Sequence, residues 1–94
     1  MCVSFYRRGR SFEYTVKKKL ETLGYRVFRC AGSKPIDLIA ISKEMGVVLV
    51  ECKARQKVYP VDKILLEALA NELGVKALIA YKRKKKTVME WVVI

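Results

Sequence analysis

The sequence predicts an α/β fold, a mixed five-stranded β-sheet flanked by helices in the order αβββαββ. Two segments, 11 to 23 and about 62 to 73, carry apolar residues at helical spacing, while five short runs are rich in β-branched residues. The gap between the second and third runs, "KEMG", is hairpin-sized, and that between the third and fourth holds a helix. An antiparallel meander followed by a helical crossover therefore makes the sheet mixed. A chain of 94 residues with 52% hydrophobic content supports one compact unit, expected as a single domain over 1–94.

Each element has its own signal. In "SFEYTVKKKLETL" (11 to 23), Phe12, Val16, Leu20 and Leu23 form one apolar stripe, and Gly24 follows as a C-terminal cap. Ser11 is the expected N-cap, which sets Glu13 in the first turn, where its charge complements the helix dipole. Strands are expected at 25 to 30 ("YRVFRC"), 36 to 42 ("IDLIAIS") and 47 to 52 ("VVLVEC"). After Pro60, "VDKILLEALANELG" gives the second helix, capped by Gly74, and strands at 76 to 81 and 88 to 94 flank a lysine-rich turn. Ile64, Leu65, Leu66, Ala68, Leu69, Ala70 and Leu73 spread around that helix beyond a single stripe. One face should pack on the sheet and another should meet a second copy of the chain.

Composition narrows the function. Twenty Lys and Arg against nine Asp and Glu leave a formal charge of +11, which points to a polyanionic partner, since neutralising phosphates releases condensed counterions. The cations cluster as "RRGR" (7 to 10), "KKK" (17 to 19) and "KRKKK" (82 to 86), flanking folded segments as a broad nucleic-acid face would require. No apolar run approaches the roughly 18 residues of a membrane span, and the opening "MCVSFYRRGR" has the wrong charge order for a signal peptide. A cytoplasmic, nucleoid-associated location is expected. Three cysteines without C-x-x-C spacing support neither a disulfide framework nor a zinc knuckle. Histidine is absent, which removes Ser-His and Cys-His nucleophile pairs. Carboxylates and lysine must carry any catalysis.

Such residues converge in "VVLVECKAR" (47 to 55). Strand alternation puts Glu51 and Lys53 on one face, with Cys52 turned to the other and the two α-carbons about 6 to 7 Å apart. Read alone, an E-x-K at a strand exit is a solvated ion pair. Asp37, however, opens the strand that the "KEMG" turn joins to this one, and an antiparallel hairpin sets it beside Glu51. Two neighbouring carboxylates repel unless a cation lies between them. Mg²⁺ suits such a site, since it takes carboxylate oxygens together with waters and substrate phosphates; Mn²⁺ is an expected substitute. Lys53 would help position water or stabilise the transition state of phosphodiester hydrolysis.

"PID" (35 to 37) followed by "ECK" (51 to 53) resembles the PD-(D/E)XK nuclease signature. The longer pattern "RRGRSFE…LGYRVFRCAGS…IDLIA…VVLVECKAR", covering roughly residues 8 to 55, is similar to the archaeal Holliday-junction resolvases. The resemblance implies a restriction-endonuclease-like fold. It implies metal binding by Glu13, Asp37, Glu51 and the Cys52 backbone carbonyl, with Ser33 and Lys53 completing the catalytic set. It further implies DNA contacts by Arg8, Arg10 and Arg29, and Arg7, Lys34 and Arg55 are expected to extend that basic surface. Three departures from the family pattern stand out: Tyr14 where an arginine usually follows the helix glutamate, Ile36 between Pro35 and Asp37, and a chain shorter than is usual.

The function so expected is Mg²⁺-dependent, structure-selective endonucleolytic cleavage that resolves four-way DNA junctions by symmetric paired hydrolysis. A homodimer matches the approximate two-fold symmetry of a junction. The alternatives are a related nuclease acting on other DNA in repair, restriction or viral DNA processing, and a noncatalytic nucleic-acid-binding module.

Overall fold

The computed structural model describes residues 2–30 and 36–94, with the side chains of the first helix described from Arg10 onward. Helix α1 spans Cys2–Thr22, followed by strands β1 (Arg26–Arg29), β2 (Leu38–Ser42) and β3 (Gly46–Lys53). Helix α2 (Pro60–Leu73) then leads to β4 (Lys76–Arg83) and β5 (Lys86–Val93). The five strands lie in sequential order, antiparallel throughout except for the parallel β3–β4 pair across α2. The expected αβββαββ order and mixed sheet are what the chain forms.

Two apolar layers sandwich the sheet. On one face Phe12, Val16 and Leu20 of α1 meet Val27, Leu38, Val48, Val50 and Leu78. On the other, Leu66 and Ala70 of α2 meet Leu49, Ala77 and Ile79. Alternation along β3 thus sends Val48 and Val50 toward α1 and Leu49 toward α2. The buried run Val48, Leu49 and Val50 is thus used on both sides, which fits the near-continuous apolar runs of the sequence.

Several local details depart from expectation. Strand β2 starts at Leu38, which leaves Asp37 just before the strand. The lysine-rich turn narrows to Lys84 and Lys85, as β4 runs to Arg83 and β5 begins at Lys86. Ser11 is not an N-cap: α1 begins at Cys2, Ser11 lies mid-helix, and its carbonyl accepts the Thr15 hydroxyl at 3.1 Å. Residues 2 to 10 contain no proline, and the single Gly9 weakens a helix by about 1 kcal/mol without ending it. Glu13 therefore gains nothing from a helix N-terminus. Leu23 falls outside the buried stripe and is 65% exposed, because the helix has already closed at Thr22 and its N–H bonds back to Lys19 and Leu20. Helix α2 starts at Pro60 rather than near residue 62, proline being well suited to a first helical position that needs no N–H.

Two turns set the register of the functional strand. Gly46 (φ 69°) takes the left-handed position that closes the β2–β3 hairpin, with the Met45 N–H donating to Ser42 Oγ at 3.0 Å. Pairing then runs from Ser42↔Gly46 to Leu38↔Val50. At the far end of α2, Gly74 (φ 69°) caps the helix with bonds to Ala70 and Asn71, and Val75 turns directly into β4.

Candidate active site

Asp37 sits where the β2–β3 ladder ends, and among the described residues it is the one buried charged side chain, 2% exposed. Its carbonyl accepts the Cys30 N–H at 2.8 Å and its N–H donates to the Val50 carbonyl at 3.1 Å, so its backbone joins three strands. Its Oδ2 accepts the Cys52 N–H at 2.8 Å. The hairpin register continued by one pair sets Asp37 opposite Glu51. A buried carboxylate needs such donors, because burial without them costs several kcal/mol. Among the described residues, every buried side-chain nitrogen and oxygen has a hydrogen-bond partner.

Glu51 and Lys53 follow Leu49 onto the α2 side of the sheet, while Cys52 packs with the α1-side core. Lys53 Nζ lies 3.9 Å from Glu51 Oε2 and 3.7 Å from Asp62 Oδ1. The parity expected for Glu51 and Lys53 is therefore present, and a third carboxylate joins them from the first turn of α2.

Asp62 escapes a reading of the sequence because it looks like an ordinary first-turn acid. It accepts the Tyr59 N–H at 3.0 Å, supplying half of a capping box whose N-cap residue, Tyr59, has no short side-chain oxygen to offer. It also binds the Arg55 guanidinium, which in turn stacks on the Tyr59 ring, 4.9 Å from its centroid. Burial pushes the Asp62 carboxyl up, but the Tyr59 N–H and the Lys53 and Arg55 cations outweigh it and hold the group below its ordinary value. The available signal was Pro60 at the first helical position with an acid two residues on.

Glu13 and Arg29 meet on the α1 side. Arg29 Nε donates to Glu13 Oε1 at 3.0 Å, and the guanidinium lies 5.3 Å from the Tyr14 ring centroid. Tyr14, the departure noted after the helix glutamate, thus packs against the arginine that holds Glu13. Among the described residues no three His, Cys, Asp or Glu side chains form a group able to hold a metal ion. Asp37 and Glu51 are brought together; Glu13 stands with Arg29. Arg10 is exposed on α1, Arg7 and Arg8 lie on its backbone with their side chains outside the described residues, and Ser33 and Lys34 lie outside them altogether.

The donor set at the β3 exit suits a hard divalent cation. Asp37 and Glu51, opposed across the hairpin, offer carboxylate oxygens, while the Cys52 side chain belongs to the opposite core. Asp37 stands just before β2 and Glu51 and Lys53 close β3, so two acids and a lysine meet at one end of the hairpin. The chain belongs to the archaeal Holliday junction resolvase (Hjc) family, whose model matches residues 4–94. It is similar to the crossover junction endodeoxyribonuclease Hjc of Methanocaldococcus jannaschii, with 48% identity over 52 residues, 55% of this chain and 38% of the relative. The chain thus spans well under half of that relative's length. The solved structure of Archaeoglobus fulgidus Hjc, a Holliday junction resolvase from an archaeal hyperthermophile, superposes with a TM-score of 0.72 at 22% identity, covering 89% of this chain and 72% of that one. That likeness establishes the fold.

Proposed function

We propose that this protein is a Mg²⁺-dependent, structure-selective endonuclease that resolves four-way DNA junctions by paired phosphodiester hydrolysis on opposed strands. The observation that carries the reading is the Asp37 Oδ2 bond to the Cys52 N–H, which fixes one acid beside Glu51 and Lys53 at a rigid strand end. Membership of the Hjc family and the +11 charge support the substrate class.

Asp37 and Glu51 would hold the ion, with the Cys52 carbonyl beside them. When bound, Mg²⁺ supplies electrostatic activation of the phosphodiester and of the attacking water. Glu51 and Asp62 keep the Lys53 ammonium at the strand end, where it meets the charge that grows on the phosphoryl oxygens. Asp37 keeps its orientation through the Cys52 N–H, so no reorganisation is needed as charge develops. Arg29 orients Glu13 from the α1 side, and Arg10 and Arg55 extend the cationic surface toward the DNA backbone. Ser33 and Arg8 belong to the same proposal as family-implied positions, and Lys34 and Arg7 as neighbouring cations of the DNA-facing surface.

A homodimer completes the reading. Val61, Ile64 and Leu65 form an exposed apolar stripe on α2, each more than half exposed. Because α2 packs over β3, β4 and β5, Phe28 and Ile41 on the first two strands are exposed as well. An apolar helix flank beside an open apolar sheet face suits a second copy of the chain. No helix among the described residues is long and apolar enough to cross a membrane, so the stripe is not part of a spanning helix.

The test is cleavage of a labelled four-way junction against a duplex of matching sequence in Mg²⁺, with the cuts mapped on all strands. Paired cuts on opposed junction strands are expected; equal cutting of the duplex overturns the junction assignment.

A further inference from the structure

The β4–β5 hairpin turns through Lys84 and Lys85, and both are left-handed, with φ 49° and 66°. A two-residue turn of this hand matches strand twist, but it favours Asn-Gly or Asp-Gly, since glycine lacks the Cβ that crowds the backbone there. Lysine offers neither advantage. The chain therefore holds two cations at a tip whose backbone favours other residues. Lys82 and Lys86 flank them, and all four are exposed. Among the described residues no ion pair engages any of the four.

The tip also has a fixed place. The Lys82 N–H donates to the Arg55 carbonyl at 3.1 Å, tying the hairpin to the chain just past Lys53. Lys82 and Lys85 line a cleft of about 330 Å³ with Ser11 and Thr15 of α1, and Lys84 and Lys85 line an adjoining one with Arg55 and Gln56. Among the described residues neither cleft has an acidic side chain in its lining.

We infer that the Lys84-Lys85 turn is a phosphate clamp that grips the DNA backbone beside the cleavage site. Lys53 pairs with Tyr81 in the sheet, and Lys84 stands three residues further along, about 10 Å on. That offset reaches backbone flanking the phosphate held at the β3 exit rather than that phosphate itself. Ammonium groups act as point charges, so the clamp fixes position and strengthens binding without reading bases. The inference rests on the nuclease reading above.

The test is Lys84→Asn/Lys85→Gly, a substitution that suits the turn while removing both charges, compared with Lys84→Arg/Lys85→Arg. Junction binding is measured by fluorescence anisotropy across a salt series, and folding by thermal melting. The Asn-Gly variant should melt no lower than wild type. Its junction affinity should fall about tenfold at moderate salt, and the slope of log K against log salt should flatten by about 1.8, two phosphate contacts. The arginine variant should bind as wild type does. Unchanged affinity and slope in the Asn-Gly variant, with wild type binding the junction, overturn the clamp alone. Equal loss in both variants also overturns it, because charge would then not be the cause. Wild-type protein that binds no DNA overturns the nuclease reading and the clamp together.

Discussion

Asp62 Oδ1 lies 3.7 Å from Lys53 Nζ, so the N-terminus of α2 is tied electrostatically to the end of β3. The same carboxylate binds Arg55 and caps its own helix at Tyr59. One acid thereby fixes the orientation of two cations and of the helix that crosses over the sheet. Its carboxyl is held below its ordinary value, so its contribution to stability is complete above the unfolded value of 3.8 and is lost as pH falls through the folded one. Acid unfolding of wild type and Asp62→Asn should differ above the unfolded value of 3.8 and converge as pH falls through the folded one. Curves that stay parallel into strong acid would show that ionised Asp62 does not stabilise the fold. Asp62→Ala, which also removes the cap, should cost about 1 kcal/mol at neutral pH in denaturant titration.

Tyr81, Glu90 and Lys63 form a second polar chain on the α2 side, with the Tyr81 hydroxyl donating to Glu90 at 2.6 Å and Lys63 to Glu90 at 3.2 Å. The bond to Glu90, with burial, raises the Tyr81 hydroxyl; that same bond, with Lys63, lowers the Glu90 carboxyl. A raised phenol stabilises the fold below its unfolded value of 10.0, and this is lost as pH rises through the folded value. Ultraviolet titration should show Tyr81 ionising later than an exposed tyrosine, and Tyr81→Phe should remove that late step. A titration curve unchanged by Tyr81→Phe contradicts the pairing.

Leu38 is fully buried between α1 and the sheet, one residue from Asp37. Leu38→Ala should lower stability by about 2 to 5 kcal/mol, the sum of lost transfer energy and a cavity. The urea midpoint should fall with the m-value unchanged. A loss under 1 kcal/mol would mean that the layer does not depend on this side chain.

The fold was legible because its signals are local. Phe12, Val16 and Leu20 keep helical spacing, and "KEMG" with Gly46 closes a hairpin whose register follows from its length. Asp37 and Glu51 were legible for the same reason, as hairpin geometry alone brings them together. The start of α1 was not, because Ser11 is a good cap by type and nothing local says that the helix already exists around it. Asp62 was hidden because its three partners, Tyr59, Lys53 and Arg55, come from a helix cap and a strand end that meet only in the folded chain. The pairing of Arg29 with Glu13 is likewise a contact across 16 positions that no spacing rule predicts.

Leu65 is 64% exposed on the apolar stripe of α2. Leu65→Lys should leave folding within about 0.5 kcal/mol of wild type, as surface substitutions do, while shifting sedimentation equilibrium from dimer to monomer. A dimer of unchanged strength would place the contact elsewhere.

We propose joint action of Asp37, Glu51 and Lys53 on a phosphodiester. Its most direct measurement is single-turnover cleavage of a labelled four-way junction in Mg²⁺ by wild type, Asp37→Asn and Glu51→Gln, with junction binding followed in parallel. Each isosteric substitution should lower the rate by about 10³-fold or more, the scale of a lost electrostatic contact at a reacting centre, while binding changes far less. Metal-dependent cutting at the wild-type rate by either variant would contradict the assignment.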